Sequence, residues 1–303
     1  MDQAAALRDI VKERQRRDGR SSFSRQTSIE GDGYPKGIRV ISVTSGKGGV
    51  GKTSTVANLA LAFQQKRKRV LVFDADLGLA NMDVMLGLNP RYTISNVLRG
   101  EKRIDEIMVT ASGGFKILPA ASGLQELTEL DSSQRLFLLN ELDTLQDHFD
   151  VLLIDTGAGI SSNVMYFNFA AMDKVVIVTN EPTSLADGYA LIKVLANQYS
   201  QKKFKILVNS ARSQAEADRI YRHLVIVVDK FLGSLSLDYI GWIPYDKHVS
   251  EAIRNQQAVL DRHPESPASK SFVKVADRLI VLQERASFDG DVRFFWRKIL
   301  DCG

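Results

Sequence analysis

Residues 38–53 read IRVISVTSGKGGVGKT. A β-branched run ends in a glycine-rich loop, and an alanine- and leucine-rich stretch follows to Gln65. The spacing G-x-x-x-x-G-K-[ST] is met by Gly46, Gly51, Lys52 and Thr53, between a strand and a helix, which is the context that motif requires. Loop glycines let backbone N–H groups turn toward anionic oxygens, and the start of the helix adds its positive dipole end. Gly46, Lys47, Gly48, Gly49, Val50, Gly51, Lys52, Thr53 and Ser54 are therefore expected to cradle phosphates, with Lys52 on the terminal phosphates and Thr53 on Mg²⁺. A second lysine, Lys47, stands five residues before Lys52, inside the loop, where the motif asks for none.

Outward from the loop, short apolar runs alternate with amphipathic segments. RVLVFDAD precedes one or two helices to Gly100, and FKILPA precedes Ser132–His148. DVLLIDT is followed by Ser161–Ala170, KVVIVTN by Thr183–Tyr199, FKILVN by Gln214–Gly233 and DYIGWIP by His248–Asn255. Strands alternating with helices predict an α/β fold: a doubly wound, mostly parallel sheet with helices on both faces. Helix Ser269–Arg285 is expected on the outside. Gln214–Gly233 carries LVIVV in its middle, which reads equally as core or as a partner surface. Three segments follow: 1–37, polar and basic after a short helical pattern; 38–285, the phosphate-binding domain; and 286–303, a separate terminal helix.

The chemistry needs a carboxylate near Mg²⁺ at the end of a neighbouring strand. VLLIDTGAG supplies Asp155, with Gly157 and Gly159 forming a loop able to sense a terminal phosphate. VFDAD supplies Asp74 and Asp76, which share one face of an extended strand.

The chain has 303 residues, 44% of them hydrophobic, and a formal charge of +4. That mild basicity permits contact with anionic lipid or nucleic acid and requires neither. Its one cysteine, Cys302, excludes an internal disulfide or a cysteine-built cluster, and fits a reducing cytoplasm. The opening MDQAAALRDI shows no secretory pattern, and no run approaches the ~18 apolar residues of a membrane span.

KGGVGKT, FDADLGLANMD, LLIDTGAG, VTNEPTS and GWIPYD, in this order, resemble the MinD/ParA family of deviant-Walker ATPases over roughly Ile38 to Arg285. The resemblance implies ATP and Mg²⁺ as cofactors, slow hydrolysis, and an ATP-sandwiched homodimer. It implies catalytic roles for Lys47, Lys52 and Asp76. Lys47 would reach the phosphates held by the other subunit, gaining nothing in an empty monomer, and Asp76 would orient the attacking water. Asp74 and Asp155 would lie with Thr53 near Mg²⁺. Asn209 and the Ile243–Asp246 loop, with Pro244, Tyr245 and Asp246, would contact adenine, and Asp187 would stand at the dimer face.

The two ends separate the branches of that family. Iron–sulfur relatives need cysteines absent here, and tyrosine-rich kinase tails are excluded by the lack of tyrosine after Tyr245. Val292, Phe295, Trp296, Ile299 and Leu300 form one helical stripe, with Arg293, Arg297 and Lys298 on another side. Such a helix suits the inner face of the cell membrane and would bind better in two copies, or it docks on the protein itself. DQAAALR, residues 2–8, resembles an element of the flagellar-number (FlhG) branch that engages the signal-recognition-type GTPase FlhF. Gln3 would act in the partner's site, Leu7 would pack and Arg8 would pair with an acidic group. The implied output is control of flagellar number and placement, through FlhF and flagellar switch (C-ring) proteins. The alternatives are a ParA-like DNA-segregating ATPase, which the aromatic tail opposes, and a nucleotide-gated regulator of a transcription factor.

Overall fold

The computed structural model describes residues 38–76, 81–119, 132–233 and 235–284. In chain order its elements are β1 (Arg39–Ser45), α1 (Lys52–Gln65), β2 (Val70–Ala75), α2 (Asn81–Leu86), α3 (Ile94–Leu98), α4 (Ile104–Ile107), β3 (Val109–Thr110), β4 (Lys116–Pro119) and α5 (Ser132–Asp143). After a 3₁₀ turn, Gln146–His148, come β5 (Val151–Ala158), α6 (Ser162–Ala170), β6 (Asp173–Val178), α7 (Pro182–Tyr199), β7 (Lys203–Ala211), α8 (Gln214–Leu232), β8 (Ser236–Pro244), α9 (Lys247–Arg254), α10 (Val259–Arg262) and α11 (Pro267–Glu284).

The strands form one sheet in the order β3-β4-β2-β5-β1-β6-β7-β8. Every pairing is parallel except β3 with β4. The apolar runs of the central strands β1, β2, β5 and β6 are continuous because these strands are buried on both faces. Alternate residues feed opposite cores. Ile41, Val72, Leu153, Val175 and Leu207 join one layer with α1 and α11. Val40, Leu71 and Leu152 join a second layer with α3, α5 and α6, and Val176 and Ile206 a third with α7 and α8. Ser42 and Thr44 interrupt the apolar run of β1, and Asn168 satisfies both: it accepts from Ser42 Oγ at 2.8 Å and donates to Thr44 Oγ1 at 3.1 Å.

β1 lies between β5 and β6, and the chain winds away from it in both directions. The crevice beyond the carboxyl ends of such strands is where open α/β sheets bind ligands. At the other end of the sheet Asp173 accepts from Arg39 Nη2 at 2.6 Å and Lys205 Nζ at 2.6 Å. Burial pushes the Asp173 carboxyl up, but the two cations outweigh it and hold the group below the ordinary range.

Three details differ from the sequence reading. The two-residue strand β3 and the one-turn helices α4 and α10 are too short to show a period. Helix α11 begins at Pro267, two residues before the expected start, and shares a layer with α1: Phe272, Val275, Ala276 and Leu279 are buried, and Leu279 O accepts from Arg39 Nη1 at 2.5 Å. Helix α8 divides its apolar middle, burying Leu224 and Val228 while Ile226, Val227 and Phe231 face solvent. The assignments to Gln3, Leu7 and Arg8, and to Val292, Phe295, Trp296, Ile299 and Leu300, lie outside the described residues. Among the described residues no helix is long and apolar enough to cross a membrane.

Candidate functional site

The loop between β1 and α1 sits at the carboxyl end of the central strand. Gly51 begins α1 in a left-handed conformation, φ 90°, which an L side chain rarely adopts. Gly46 is fixed by packing: a Cβ there would lie 2.1 Å from the backbone carbon of Asp187, so α7 rests directly on the loop. Helix α1 has no side-chain cap and no acidic residue in its first turn. Its leading N–H groups and dipole are thus left to an anion.

The two lysines occupy different environments. Lys52 is buried, and its Nζ donates to Ser45 Oγ at 3.1 Å. Burial lowers its pKa, against the opposing pull of Asp155 and Asp76. Lys47 lies on the open side of the loop, its side chain 35% exposed. Contrary to the expectation that it gains nothing in a monomer, it is ion-paired to Glu181, at the start of α7, and donates to Thr183 Oγ1 at 2.9 Å.

Asp155 and Asp76 lie near Lys52, with Asp74 beside Asp155. Asp74 and Asp155 are register partners on adjacent strands. Asp74 accepts from the backbone N–H of Asp76 at 3.3 Å and of Met82 at 3.4 Å, yet burial raises its pKa to about 6. Asp155 is 1% exposed, and neither of its oxygens makes a hydrogen bond of ordinary geometry, although the Thr53 hydroxyl is close by. Burial first, then the charge of Asp74, pushes its carboxyl up to about 8, against the smaller pull of Thr53 and Lys52. Two buried oxygens left without a well-formed hydrogen bond call for a positive ligand or its water. Asp76 sits past the end of β2, partly exposed, beside Gly157, which belongs to the last stretch of β5 and not, as expected, to a loop with Gly159.

From the loop a groove of about 510 Å³ runs between the ends of β6, β7 and β8, within the usual size of small-molecule sites. Its walls include Gly49, Val50, Gly51, Ser54, Asn180, Asn209, Glu216, Pro244, Tyr245 and Asp246. Asn209 Nδ2 donates to Val50 O at 2.7 Å, tying β7 to the loop. Tyr245 is exposed at the rim. The Asp246 carboxylate is turned to structure, accepting from His248 N at 3.0 Å and Ala268 N at 3.1 Å to start two helices.

Known proteins match this chain along most of its length. A family model described as an AAA domain matches residues 38–208. The antiactivator FleN of Pseudomonas aeruginosa is 41% identical over 263 residues, covering 87% of this chain and 94% of FleN. The cell division protein MinD of Aquifex aeolicus superimposes with a TM-score of 0.62 at 27% identity, over 83% of this chain and 99% of MinD. The chain belongs to the MinD/ParA family of ATPases. The flagellum site-determining protein YlxH of Helicobacter pylori is a further relative, 29% identical over 86% of this chain and 90% of its own.

As a MinD/ParA ATPase the chain acts on ATP, and Mg²⁺ is the ion expected with it. The residues present fit the ion. Mg²⁺ is commonly held by one or two carboxylates together with the substrate's own phosphates. Asp155, with the Thr53 hydroxyl beside it, would hold the ion, while Asp74 is more fully engaged by backbone N–H groups. Bound there, Mg²⁺ would neutralise charge on the terminal phosphates.

The structure thus gathers the loop residues, Lys47, Lys52, Asp74, Asp76, Asp155, Asn209 and the Pro244–Asp246 turn at one end of the sheet, with Asp187 against the loop. Sequence reading missed Ser45, the partner of Lys52, and Glu181 and Thr183, the partners of Lys47. Both partners of Lys47 stand in the quoted VTNEPTS, where an acidic residue before Pro182 at a helix start was the available signal.

Proposed function

We propose that this ATPase is a nucleotide-gated dimeric switch that sets flagellar number and placement at the membrane. ATP seats on Gly46–Ser54 with Lys52 on its terminal phosphates, Asp155 and Thr53 toward Mg²⁺, and Asp76 orienting the attacking water. Two copies then close on their nucleotides, and Lys47 exchanges Glu181 for the phosphates of the other copy.

The observation that carries this reading is the contrast between the lysines. Lys52 is buried toward its own loop, whereas Lys47 is on the open side with exposed, exchangeable partners. In the proposed domain plan, 38–285 is the switch, 286–303 brings it to anionic membrane when two copies act together, and 1–37 carries the element that stimulates FlhF through Gln3, Leu7 and Arg8. Similarity to FleN, named an antiactivator, and to YlxH, named a flagellum site-determining protein, supports the flagellar output.

Sedimentation equilibrium of the full chain tests the switch. ATP should produce a dimer that Lys47→Ala loses while ADP binding persists. An unchanged dimer in Lys47→Ala would overturn the account of the second lysine.

A further inference from the structure

The groove has two side-chain amides in its walls, Asn180 and Asn209. Asn209 is engaged at both ends: besides its bond to Val50 O, its Oδ1 accepts from Ser210 N at 2.9 Å. Asn180, just beyond β6, is held at one end. Its Nδ2 donates to Glu216 Oε1 at 2.5 Å.

Glu216 is itself fixed. It lies in the first turn of α8, where its N–H donates to the capping Ser213 Oγ at 3.2 Å. Its other oxygen accepts from Arg212 N at 2.5 Å. This is a variant of the capping box, in which the third residue of a helix reaches back to a preceding N–H. An ionised carboxylate accepts and never donates. The Asn180 amide therefore has one acceptable orientation, nitrogen toward Glu216 and carbonyl oxygen away from it. The reversed amide would set oxygen against oxygen.

We infer that Glu216 is a positioning residue that fixes Asn180 as an acceptor in the groove, and that this acceptor selects adenine by taking its exocyclic amine. Adenine carries a donor amine where guanine carries a carbonyl oxygen. A fixed acceptor bonds the first and repels the second, and such mismatched polar pairs discriminate more strongly than shape alone. Asp246 is the more heavily engaged acceptor: its carboxylate takes His248 N and Ala268 N and lies 2.8 Å from His248 Nδ1, whereas the Asn180 carbonyl is turned away from its one side-chain partner. The inference concerns the monomer's groove and does not depend on dimerisation.

The test is binding of ADP, GDP and inosine diphosphate with Mg²⁺ to the full chain by calorimetry. Inosine diphosphate shares guanine's 6-carbonyl and protonated N1 but lacks its 2-amino group, so it separates the 6-position edge of the ring from any effect of the 2-amino group. The wild type should favour ADP over both others by about tenfold or more, as for one well-placed hydrogen bond against a mismatch. Asn180→Ala should lose most of that ratio. Glu216→Gln, which keeps an acceptor for Arg212 N but can also donate, should let the amide turn and reduce the ratio without abolishing ADP binding. Equal weakening for all three nucleotides would make these residues mere loop supports and overturn the inference. Inosine diphosphate binding as tightly as ADP, or ratios unchanged in both variants, would overturn it as well.

Discussion

Glu181→Gln removes the ionic partner of Lys47 while keeping the size of the side chain. The pair is exposed, 35% on the lysine and 61% on the glutamate. Solvent screening therefore limits its strength to about 0–1 kcal/mol. The monomer should lose little stability. A symmetric dimer releases two such pairs, so removing both favours the dimer by up to about 2 kcal/mol, or about 30-fold in its dissociation constant. Sedimentation equilibrium with a non-hydrolysable ATP analogue measures that shift, and a thermal melt of the nucleotide-free chain measures the monomer. The expected result is a tighter dimer with a melting temperature close to the wild type. A weaker dimer would refute the reasoning, because Glu181 would then be needed in the closed state. A large loss of melting temperature would refute it too, by showing a structural pair in place of a releasable one.

Asp76→Ala should keep the ATP dimer and lose turnover by phosphate release; normal release would move the water-orienting role elsewhere. Gln3→Ala should leave ATPase activity intact and abolish stimulation of FlhF GTP hydrolysis, and full stimulation would remove the assignment of residues 2–8. Asp173→Ala leaves the buried Arg39 without its carboxylate and should destabilise the fold by about 3–5 kcal/mol in urea melts at pH 7. Because the Asp173 pKa is depressed in the folded chain, its stabilisation is present above the ordinary carboxylate value of about 3.9 and is lost as pH falls through the folded value. The difference between variant and wild type should therefore shrink in acid.

The sheet was legible because its strands are buried on both faces, which makes them short continuous apolar runs between amphipathic helices. The loop was legible because phosphate binding fixes residue types at fixed spacing. Partners distant in sequence were not. Glu181 lies 134 residues from Lys47, and although an acidic residue before Pro182 marks a helix start, nothing in the sequence joins it to Lys47. Asn180 and Glu216 meet because β6 and β7 are neighbours, a fact of topology and not of pattern. The register that sets Asp74 beside Asp155 is of the same kind, and so is the run of β5 past Asp155 to Ala158, where a strand end was expected. The double role of Asp246, a groove residue whose carboxylate starts two helices, needed the coordinates of Ala268 22 residues away.

Liposome co-sedimentation, with anionic vesicles, with and without ATP, and with DNA as competitor, tests the central claim most directly. The full chain should pellet with ATP, a chain ending at residue 285 should stay in solution, and DNA should not compete. ATP-dependent binding to DNA in place of vesicles, unaffected by removal of residues 286–303, would contradict the membrane switch and move the chain to the DNA-segregating branch of its family.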